Sequence, residues 1–312
     1  MAKNKSKALG RRQRLVIDRG VRWAVQIAFF VAFTAVFSAA FNGVKYAFTQ
    51  IGAMQPVSLS AFVTTLLAVL AFTVVFGRFF CGYACAFGTL GDALFTVFTP
   101  VRKKLGIGKK KPLLPAGMQR ALQLLKYVVL AVICVLCFAG MWSSVSGYSP
   151  WTAFAGIVAG NVDGISVGAF VALGVVAVGM LFVERFFCQF LCPLGAVFSL
   201  LPVLPFSAFR RDATRCAKGC GLCKRSCPVS VSPDPDAFAA GECISCGRCA
   251  DGCPLENVTM LRVPKPAGQE GLAQDSSAKK PAREFLMSLR GTEILLVLAK
   301  AAALFALCLM FM

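Results

Sequence analysis

Five apolar stretches of close to twenty residues constrain the fold of this chain more than any other feature of its sequence. The 312 residues are 57% hydrophobic, and the mean hydropathy of +0.72 is far above that of a soluble domain. Stretches of this length are typical of helices that cross a lipid bilayer. They are Val21–Phe41, Leu59–Phe76, Ala121–Trp142, Ile165–Val183 and Ile294–Met312. We therefore predict an α-helical membrane protein with four to five transmembrane helices.

Basic residues are concentrated in alternate loops between these stretches. Eight Lys and Arg residues precede or open the first stretch and a second basic block lies within 101–120, whereas residues 143–164 contain none. Basic loops stay on the cytoplasmic side of a membrane. The sequence thus predicts a multi-pass protein of the bacterial cytoplasmic membrane, in contact with lipid, whose N-terminus, residues 77–120 and cysteine-rich segment are cytoplasmic. This topology accounts for the net charge of +19 without a nucleic-acid partner. The first stretch is too long for a signal peptide, so we expect an uncleaved anchor.

Two runs of four cysteines follow the fourth apolar stretch, and each ends in Cys-Pro. The second run has the spacing C-x2-C-x2-C-x3-C-P that binds [4Fe–4S] clusters, and the first has one extra residue after Cys216. The cysteines are Cys216, Cys220, Cys223, Cys227, Cys243, Cys246, Cys249 and Cys253. We predict two [4Fe–4S] clusters in a small α+β ferredoxin module of the bacterial type, over residues 210–264.

A zinc site or a disulfide framework fits these eight cysteines less well than iron–sulfur clusters do. A zinc ribbon needs two C-x2-C pairs, not two runs of four, which leaves zinc as the weaker alternative. A disulfide framework needs an oxidising compartment and conflicts with a cytoplasmic location. The chain contains no histidine. Histidine-ligated haem, Rieske clusters and Ser-His-Asp catalysis are therefore excluded within this chain, and a histidine-ligated haem would belong to a partner.

The membrane part contains an internal repeat. The second and fourth apolar stretches both run into the sequence Arg-Phe-Phe-Cys-x3-Cys-x2-Gly, starting at Arg78 and Arg185. Repeats of this kind usually mark two equivalent half-units that face one another. Because cysteines at i and i+4 share one face of a helix, four thiols are expected to converge. They belong to Cys81, Cys85, Cys188 and Cys192.

These four thiols form the candidate redox site of the membrane part. A third iron–sulfur cluster, a disulfide pair and a transient metal site all remain open, and the alternative is that the cysteines are apolar fillers at helix ends. Arg78 and Arg185 are expected to extend to lipid headgroups. The alternatives are that they offset the negative charge of thiolates or of a reduced cluster, which would lower the pKa of nearby thiols, or that they hold a quinone headgroup. Three further cysteines are predicted to pack as small apolar residues. These are Cys134, Cys137 and Cys308.

Aromatic residues surround the loop at the predicted outer face. Trp142, Tyr148 and Trp151 are expected to form an aromatic belt. A quinol pocket near Ser149–Trp151 or Asp163 is the alternative.

The paired Arg-Phe-Phe-Cys-x3-Cys motifs, followed by two cluster-binding runs, resemble the NapH/NosR/CcoG group of membrane iron–sulfur proteins over about residues 15–260. The most similar member is the quinol-dehydrogenase component that supplies periplasmic nitrate reductase. The resemblance implies four membrane helices and electron flow between menaquinol or menaquinone and a haem- or flavin-bearing partner protein. It also implies two ligand sets. One is Cys216, Cys220, Cys223 and Cys253, and the other is Cys243, Cys246, Cys249 and Cys227.

The chain departs from the family pattern in a few places. Ala86 follows Cys85 where the pattern has proline, whereas Pro193 keeps the proline after Cys192. We expect neither a flavin-binding domain before the first stretch nor a β-rich domain after the clusters, so the nitrate-reductase-type component is the closer likeness.

The sequence as a whole predicts five segments. Residues 1–20 are a basic N-terminus, 21–200 a duplicated membrane domain, 210–264 the ferredoxin module, 265–290 a flexible linker and 291–312 a fifth membrane helix. The predicted function is that of an electron-transfer subunit of a quinol dehydrogenase, supplied by quinol or by cytoplasmic donors. The alternative is an accessory protein whose clusters reduce metal or help to assemble a respiratory enzyme.

Overall fold

The computed structural model describes residues 2–106, 116–204, 209–211, 216, 219–231, 241–254, 258–259 and 281–311. The membrane part is helical. Its helices are α1 (Ala2–Ala32), α2 (Val36–Gly52), α3 (Ala61–Phe76), a π-helix (Phe80–Ala84), α4 (Ala86–Lys104), α5 (Ala116–Phe138), α6 (Trp142–Ser146), α7 (Pro150–Ala159), α8 (Val167–Phe182), α9 (Phe186–Phe190) and α10 (Pro193–Leu200).

In the part of the cysteine-rich segment that the structure describes there are two short helices and two short strands. The helices are Leu222–Ser226 and Arg248–Gly252, and the strands Arg210–Arg211 and Val258–Thr259 pair antiparallel. A long C-terminal helix, Pro281–Phe311, follows. It packs against α3 and α1, so the last predicted membrane stretch lies beside the first two.

Within the described residues, two helices are long and apolar enough to cross a membrane, namely Gly117–Phe138 and Glu293–Phe311. Residues 15–52 also qualify if α1 and α2, which are bent by 62°, count as one span. The second and fourth predicted stretches form α3 and α8, of 16 residues each. At about 1.5 Å per residue such a helix covers about 24 Å, less than the ~30 Å hydrocarbon core. The count of four to five spans therefore stays a prediction.

The first predicted stretch is not one straight helix, because its two halves pack against different elements. In α1 and the turn after it, Phe29 and Phe33 contact Phe305 of the C-terminal helix, with ring centroids 5.8 and 4.8 Å apart. In α2, Phe37 contacts Phe87 at 5.3 Å and Phe187 at 6.3 Å. The bend thus brings α2 over the two cysteine motifs, and Phe87 and Phe187 belong to them.

The predicted linker over 265–290 differs from the structure in its second part. Residues 265–280 lie outside the described residues, but 281–290 are helical and continue into the C-terminal helix. That helix begins at Pro281 rather than at residue 291 because Ala, Arg, Glu, Leu and Met are strong helix formers. The polar composition had suggested a flexible chain instead.

The aromatic belt holds only in part. Tyr148 is exposed, and the Trp142 ring lies 5.0 Å from the Lys45 ammonium. Trp151 instead packs inward against Phe187 at 6.0 Å. Of the cysteines expected to pack as apolar residues, Cys137 and Cys308 are buried in the hydrophobic core and Cys134 is half-buried.

Candidate iron–sulfur site

An unusual backbone hydrogen bond shapes both Cys-x3-Cys motifs in the same way. The Cys85 amide donates to the Phe80 carbonyl at 2.9 Å, and the Cys192 amide donates to the Phe187 carbonyl at 2.9 Å. Each bond reaches back five residues and widens the turn, as in a π-helix. The spacing predicts that the two thiols of a motif lie on one face of a regular α-helix, and the wide turn shows that they do not. The wide turn places Cys85 and Cys192 immediately before α4 and α10.

The second cysteine of each motif sits at the N-terminus of the following helix. The Cys192 sulfur accepts a hydrogen bond from the Gly195 amide at 3.2 Å, and the Cys85 sulfur accepts one from the Gly88 amide. These are the free amides of a first helical turn. They and the positive end of the helix dipole favour a negatively charged sulfur or cluster there. The backbone amide of the last residue in each motif thus has a defined role.

The structure brings the four motif thiols together around one small cavity. All four cysteines are buried. The other lining residues are Phe37, Arg78, Phe80, Leu194, Gly195 and Phe198. A mostly apolar cavity with four thiols, two amide donors and an arginine fits an iron–sulfur cluster, which binds through thiolates and is tuned by hydrogen bonds to sulfur.

Arg185 is buried in this site and does not extend to lipid headgroups. It is 2% exposed, and its Nε and Nη2 donate to the two Asp92 oxygens at 2.7 and 2.6 Å. It also donates to the carbonyls of Cys81 and Gly82. Its backbone is left-handed, with φ of 56°, which is uncommon outside glycine and is maintained here by these bonds.

Arg78 is buried as well, also at 2% exposure. Its Nη1 donates to the Gly241 carbonyl at 2.9 Å and contacts Glu242 at 3.4 Å. Each arginine crosses to the other motif. A Cβ on Gly195 would lie 3.1 Å from Arg78 Nη2, and one on Gly88 would collide with Arg185 Nη1. The expectation that the arginines extend to lipid headgroups is therefore wrong. Each arginine instead fills the space that a glycine of the other motif leaves open.

The arginines do not produce thiolates by themselves. Burial raises the pKa of the Cys188 thiol to about 11, although Arg185 acts in the opposite direction. Burial likewise raises the pKa of Cys85. The expectation of lowered cysteine pKa values is wrong at these positions, which lie outside the spanning helices, because the loss of water outweighs the nearby cations.

The second cysteine run folds into a loop lined by sulfur and amide groups. Ser245 and Gly247 have positive φ of 53° and 74°, which curls the backbone around the thiols. Burial raises the pKa of the Cys249 thiol, and the thiols of Cys246, Cys243 and Cys227 lie close enough to raise it further by like-charge repulsion. Cys227, the last cysteine of the first run, therefore lies with the second run. The amides of Val231, Ser245, Arg248 and Ala250 donate to the sulfurs of Cys227, Cys243, Cys246 and Cys249, respectively.

In the first cysteine run, a cysteine likewise lies beside a cysteine of the other run. Cys223 and Cys253 are buried in one small cluster with Phe209 and Val258, while Cys216 and Cys220 are half-buried. Cys223 of the first run thus lies with Cys253, the last cysteine of the second run. Across the described residues, no three His, Cys, Asp or Glu side chains are placed to hold a single metal ion.

The second cysteine run packs directly on the first Cys-x3-Cys motif. Gly82 lies against the Ile244 carbonyl so closely that a Cβ would not fit. The Tyr83 hydroxyl donates to the Cys246 carbonyl at 3.4 Å. In the second motif, the Gln189 amide donates to the Pro228 carbonyl at 2.7 Å. The Cys-x3-Cys motifs and the two cysteine runs are thus joined by contacts to backbone carbonyls.

Charged residues outside the sequence motifs stabilise the contact between the Cys-x3-Cys motifs and the second cysteine run. Lys126 of α5 is 0% exposed, and its Nζ lies 2.5 and 2.6 Å from the Glu242 oxygens. Glu242 precedes Cys243 and also contacts Arg78. Lys126 had a sequence signal, since a charge inside a membrane stretch is rare and usually functional. Asp92 and Glu242 could not be identified from the sequence, because no pattern in it indicates which residues they contact.

Comparison with known proteins agrees with this site. A family model described as a 4Fe-4S binding domain matches residues 59–108 and 166–206, each of which contains one Cys-x3-Cys motif. An uncharacterized protein of Methanocaldococcus jannaschii is 30% identical over 196 residues, covering 62% of this chain and 68% of that protein. No solved structure matches the chain at a significant level.

Two further relatives have descriptive names. The ferredoxin-type protein NapH of Haemophilus influenzae is 28% identical over 198 residues, which cover 59% of this chain and 62% of that protein. The regulatory protein NosR of Pseudomonas aeruginosa is 27% identical over 182 residues, 56% of this chain and 24% of that protein. With its thiol sites and its apolar helices, the chain belongs to the NapH/NosR-type family of membrane ferredoxins, which are iron–sulfur electron-transfer proteins.

Proposed function

We propose that this protein passes electrons between the quinol pool, or a cytoplasmic donor, and a partner redox protein, using two [4Fe–4S] clusters in the ferredoxin module and a third site at the four motif thiols. The observation that carries this proposal is the direct packing of Gly82 against Ile244. It places the second cysteine run, Cys243 to Cys253, in contact with the motif that contains Cys81.

The two arginines support a connection between these sites. Arg185 interacts electrostatically with both Cys188 and Cys246. Arg78 does so with Cys81 and Cys192 on one side and with Cys243 on the other. A thiolate-bound cluster supplies one-electron chemistry and carries net negative charge. Each cation is thus placed to offset charge at two neighbouring sites, which favours electron transfer between them.

The cysteines are proposed to act as ligands. The first cluster would be held by Cys216, Cys220, Cys223 and Cys253, and the second by Cys243, Cys246, Cys249 and Cys227. The third site would be held by Cys81, Cys85, Cys188 and Cys192. The matching π-type turns and the exchanged arginine–glycine contacts support an arrangement of two equivalent half-units with this third site between them.

The proposed topology places the ferredoxin module in the cytoplasm and residues 143–164 outside, in line with the distribution of basic residues. Ser144 is exposed and lies in the loop without Lys or Arg. A Ser144→Cys variant should react in whole cells with a membrane-impermeant thiol reagent. A cysteine introduced at exposed Lys104 should react only after lysis, and the reverse pattern would contradict the proposal.

The experiment that tests the function is anaerobic reduction of the purified protein. A menaquinol analogue should bleach the visible absorbance of the clusters and produce the paramagnetic signal of reduced [4Fe–4S] centres. The control is Cys246→Ser, which should lose one module cluster and weaken the other, because such modules fold around both. If dithionite reduces the wild-type clusters and no quinol does, the quinol link is refuted.

A further inference from the structure

A second cavity, partly open to solvent, lies beside the second cysteine run. The cavity is lined by α1, by the loop after Cys246 and by the start of the C-terminal spanning segment. Its lining consists of Asp18, Val21, Arg22, Tyr83, Phe209, Gly247, Ala250, Asp251, Glu293, Ile294 and Val297.

The cavity lies where two apolar segments meet the cysteine-rich module. Val21 opens the first apolar stretch, and Glu293 opens the spanning segment of the C-terminal helix. Val21, Ile294 and Val297 give the cavity an apolar wall. A ligand that stays in the membrane by an apolar tail could therefore place a polar head here.

Polar groups also line the cavity. Arg22 Nη2 lies 3.0 Å from Asp251 Oδ2, and Arg22 Nε has no hydrogen-bond partner within the described part of the chain. The Tyr83 hydroxyl bonds the Cys246 carbonyl at 3.4 Å. Asp18 and Glu293 add carboxylates. The wall thus offers donors for an oxygen atom and bases for a hydroxyl proton.

The cavity is also close to the second cysteine run. Gly247, between Cys246 and Cys249, has φ of 74°, and a Cβ there would lie 3.2 Å from the Phe209 ring and 3.8 Å from Arg22 Nη2. Glycine at this position therefore allows the cavity walls to approach the backbone between two cluster ligands. A ligand in the cavity would lie beside the second thiol set.

We propose that this cavity binds the hydroxylated ring of a quinol, which rests on the proposed function. Oxidation of a quinol to the quinone breaks two O–H bonds and releases two protons and two electrons. The electrons match two one-electron acceptors, the [4Fe–4S] clusters proposed for the module, and the protons require bases such as Asp18 and Glu293. The apolar wall would hold the ring and the beginning of the tail.

The test is equilibrium binding of a fluorescent quinol analogue, heptyl-hydroxyquinoline N-oxide, to the purified holoprotein in detergent. Wild type should quench its fluorescence with saturation at one site per chain. Val21→Trp fills the cavity and should weaken binding about tenfold or more, and Arg22→Gln should also weaken it. Val16→Trp, on an exposed face of the same helix, is the matched control and should bind as wild type does.

Equal affinity of the Val21→Trp and Val16→Trp variants would overturn the cavity as the site. Displacement of the probe by an anionic phospholipid but not by a short-chain quinone would also overturn it, because the cavity would then be a lipid site. If quinol still reduces the clusters at the wild-type rate in Val21→Trp, the function stands and the cavity fails. If the probe binds as expected but quinol reduces no cluster in wild type, the function fails and the cavity stands.

Discussion

Replacing Cys188 with serine is expected to lower the iron content from about twelve to about eight atoms per chain, as expected for the loss of one cubane of four irons from three. The thiol is buried in the cavity that it shares with Cys81, Cys85 and Cys192. A serine oxygen is a harder and weaker ligand for an iron–sulfur cluster than a thiolate. Iron and sulfide analysis of anaerobically purified protein measures the change.

The double variant separates one shared site from two independent helix ends. If the four thiols act together, Cys85→Ser and Cys188→Ser should each lose the same four irons, and the double variant should lose no more. Cys134→Ser changes a half-buried cysteine in α5 and should keep the wild-type iron content. Wild-type protein with about eight irons, unchanged in both single variants, would show that the motif thiols hold no cluster.

The same variants should interrupt electron flow without disassembling the module. In proteoliposomes, transfer from the reduced module to an impermeant acceptor on the opposite face should fall to background in Cys188→Ser. The paramagnetic signals of the two clusters proposed for the module should remain, since their proposed ligands belong to residues 216–253. A wild-type transfer rate in Cys188→Ser would remove the four thiols from the electron path.

The cysteine spacing was sufficient to predict that the motif thiols converge, but it was not sufficient to predict their local geometry. The repeat of Arg-Phe-Phe-Cys-x3-Cys-x2-Gly predicts that Cys81 and Cys188 meet, and the structure places both on one cavity. The π-type turn could not be predicted, because a five-residue hydrogen bond such as that from Cys85 to Phe80 has no sequence signature. Hydrophobic runs similarly indicate apolar helices and not their ends.

Buried ionic contacts were the part that the sequence did not reveal. An arginine next to an apolar stretch most often extends to the headgroups, and the position of Asp92 helps to explain why Arg185 does not. That carboxylate comes from α4, and Arg185 follows α8, so the pair depends on the packing of those two helices. Glu242 depends on Lys126 and Arg78 in the same way.

Replacing Arg185 with glutamine is expected to destabilise the protein by about 3–5 kcal/mol, the usual cost of breaking a buried ion pair from one side. The change leaves the Asp92 carboxylate buried with Gln26 as its remaining side-chain partner in the described structure, and it removes two donors from the Cys81 and Gly82 carbonyls. Denaturant unfolding in detergent, followed by the visible absorbance of the clusters, measures the loss.

The matched variants distinguish the ion pair from the rest of the Arg185 contacts. Asp92→Asn should cost less than Arg185→Gln, since the arginine keeps both carbonyls. The double variant should not regain wild-type stability, because the Cys81 carbonyl loses its arginine donor and the Gly82 carbonyl loses one of two side-chain donors, keeping the bond from Gln26. Lys104→Gln, at an exposed position at the end of α4, should change stability by no more than about 0.5 kcal/mol. If Arg185→Gln is as stable as Lys104→Gln, the exchange of arginines between the two motifs does not hold the halves together. The convergence of the four thiols would then depend on the packing of the helices alone.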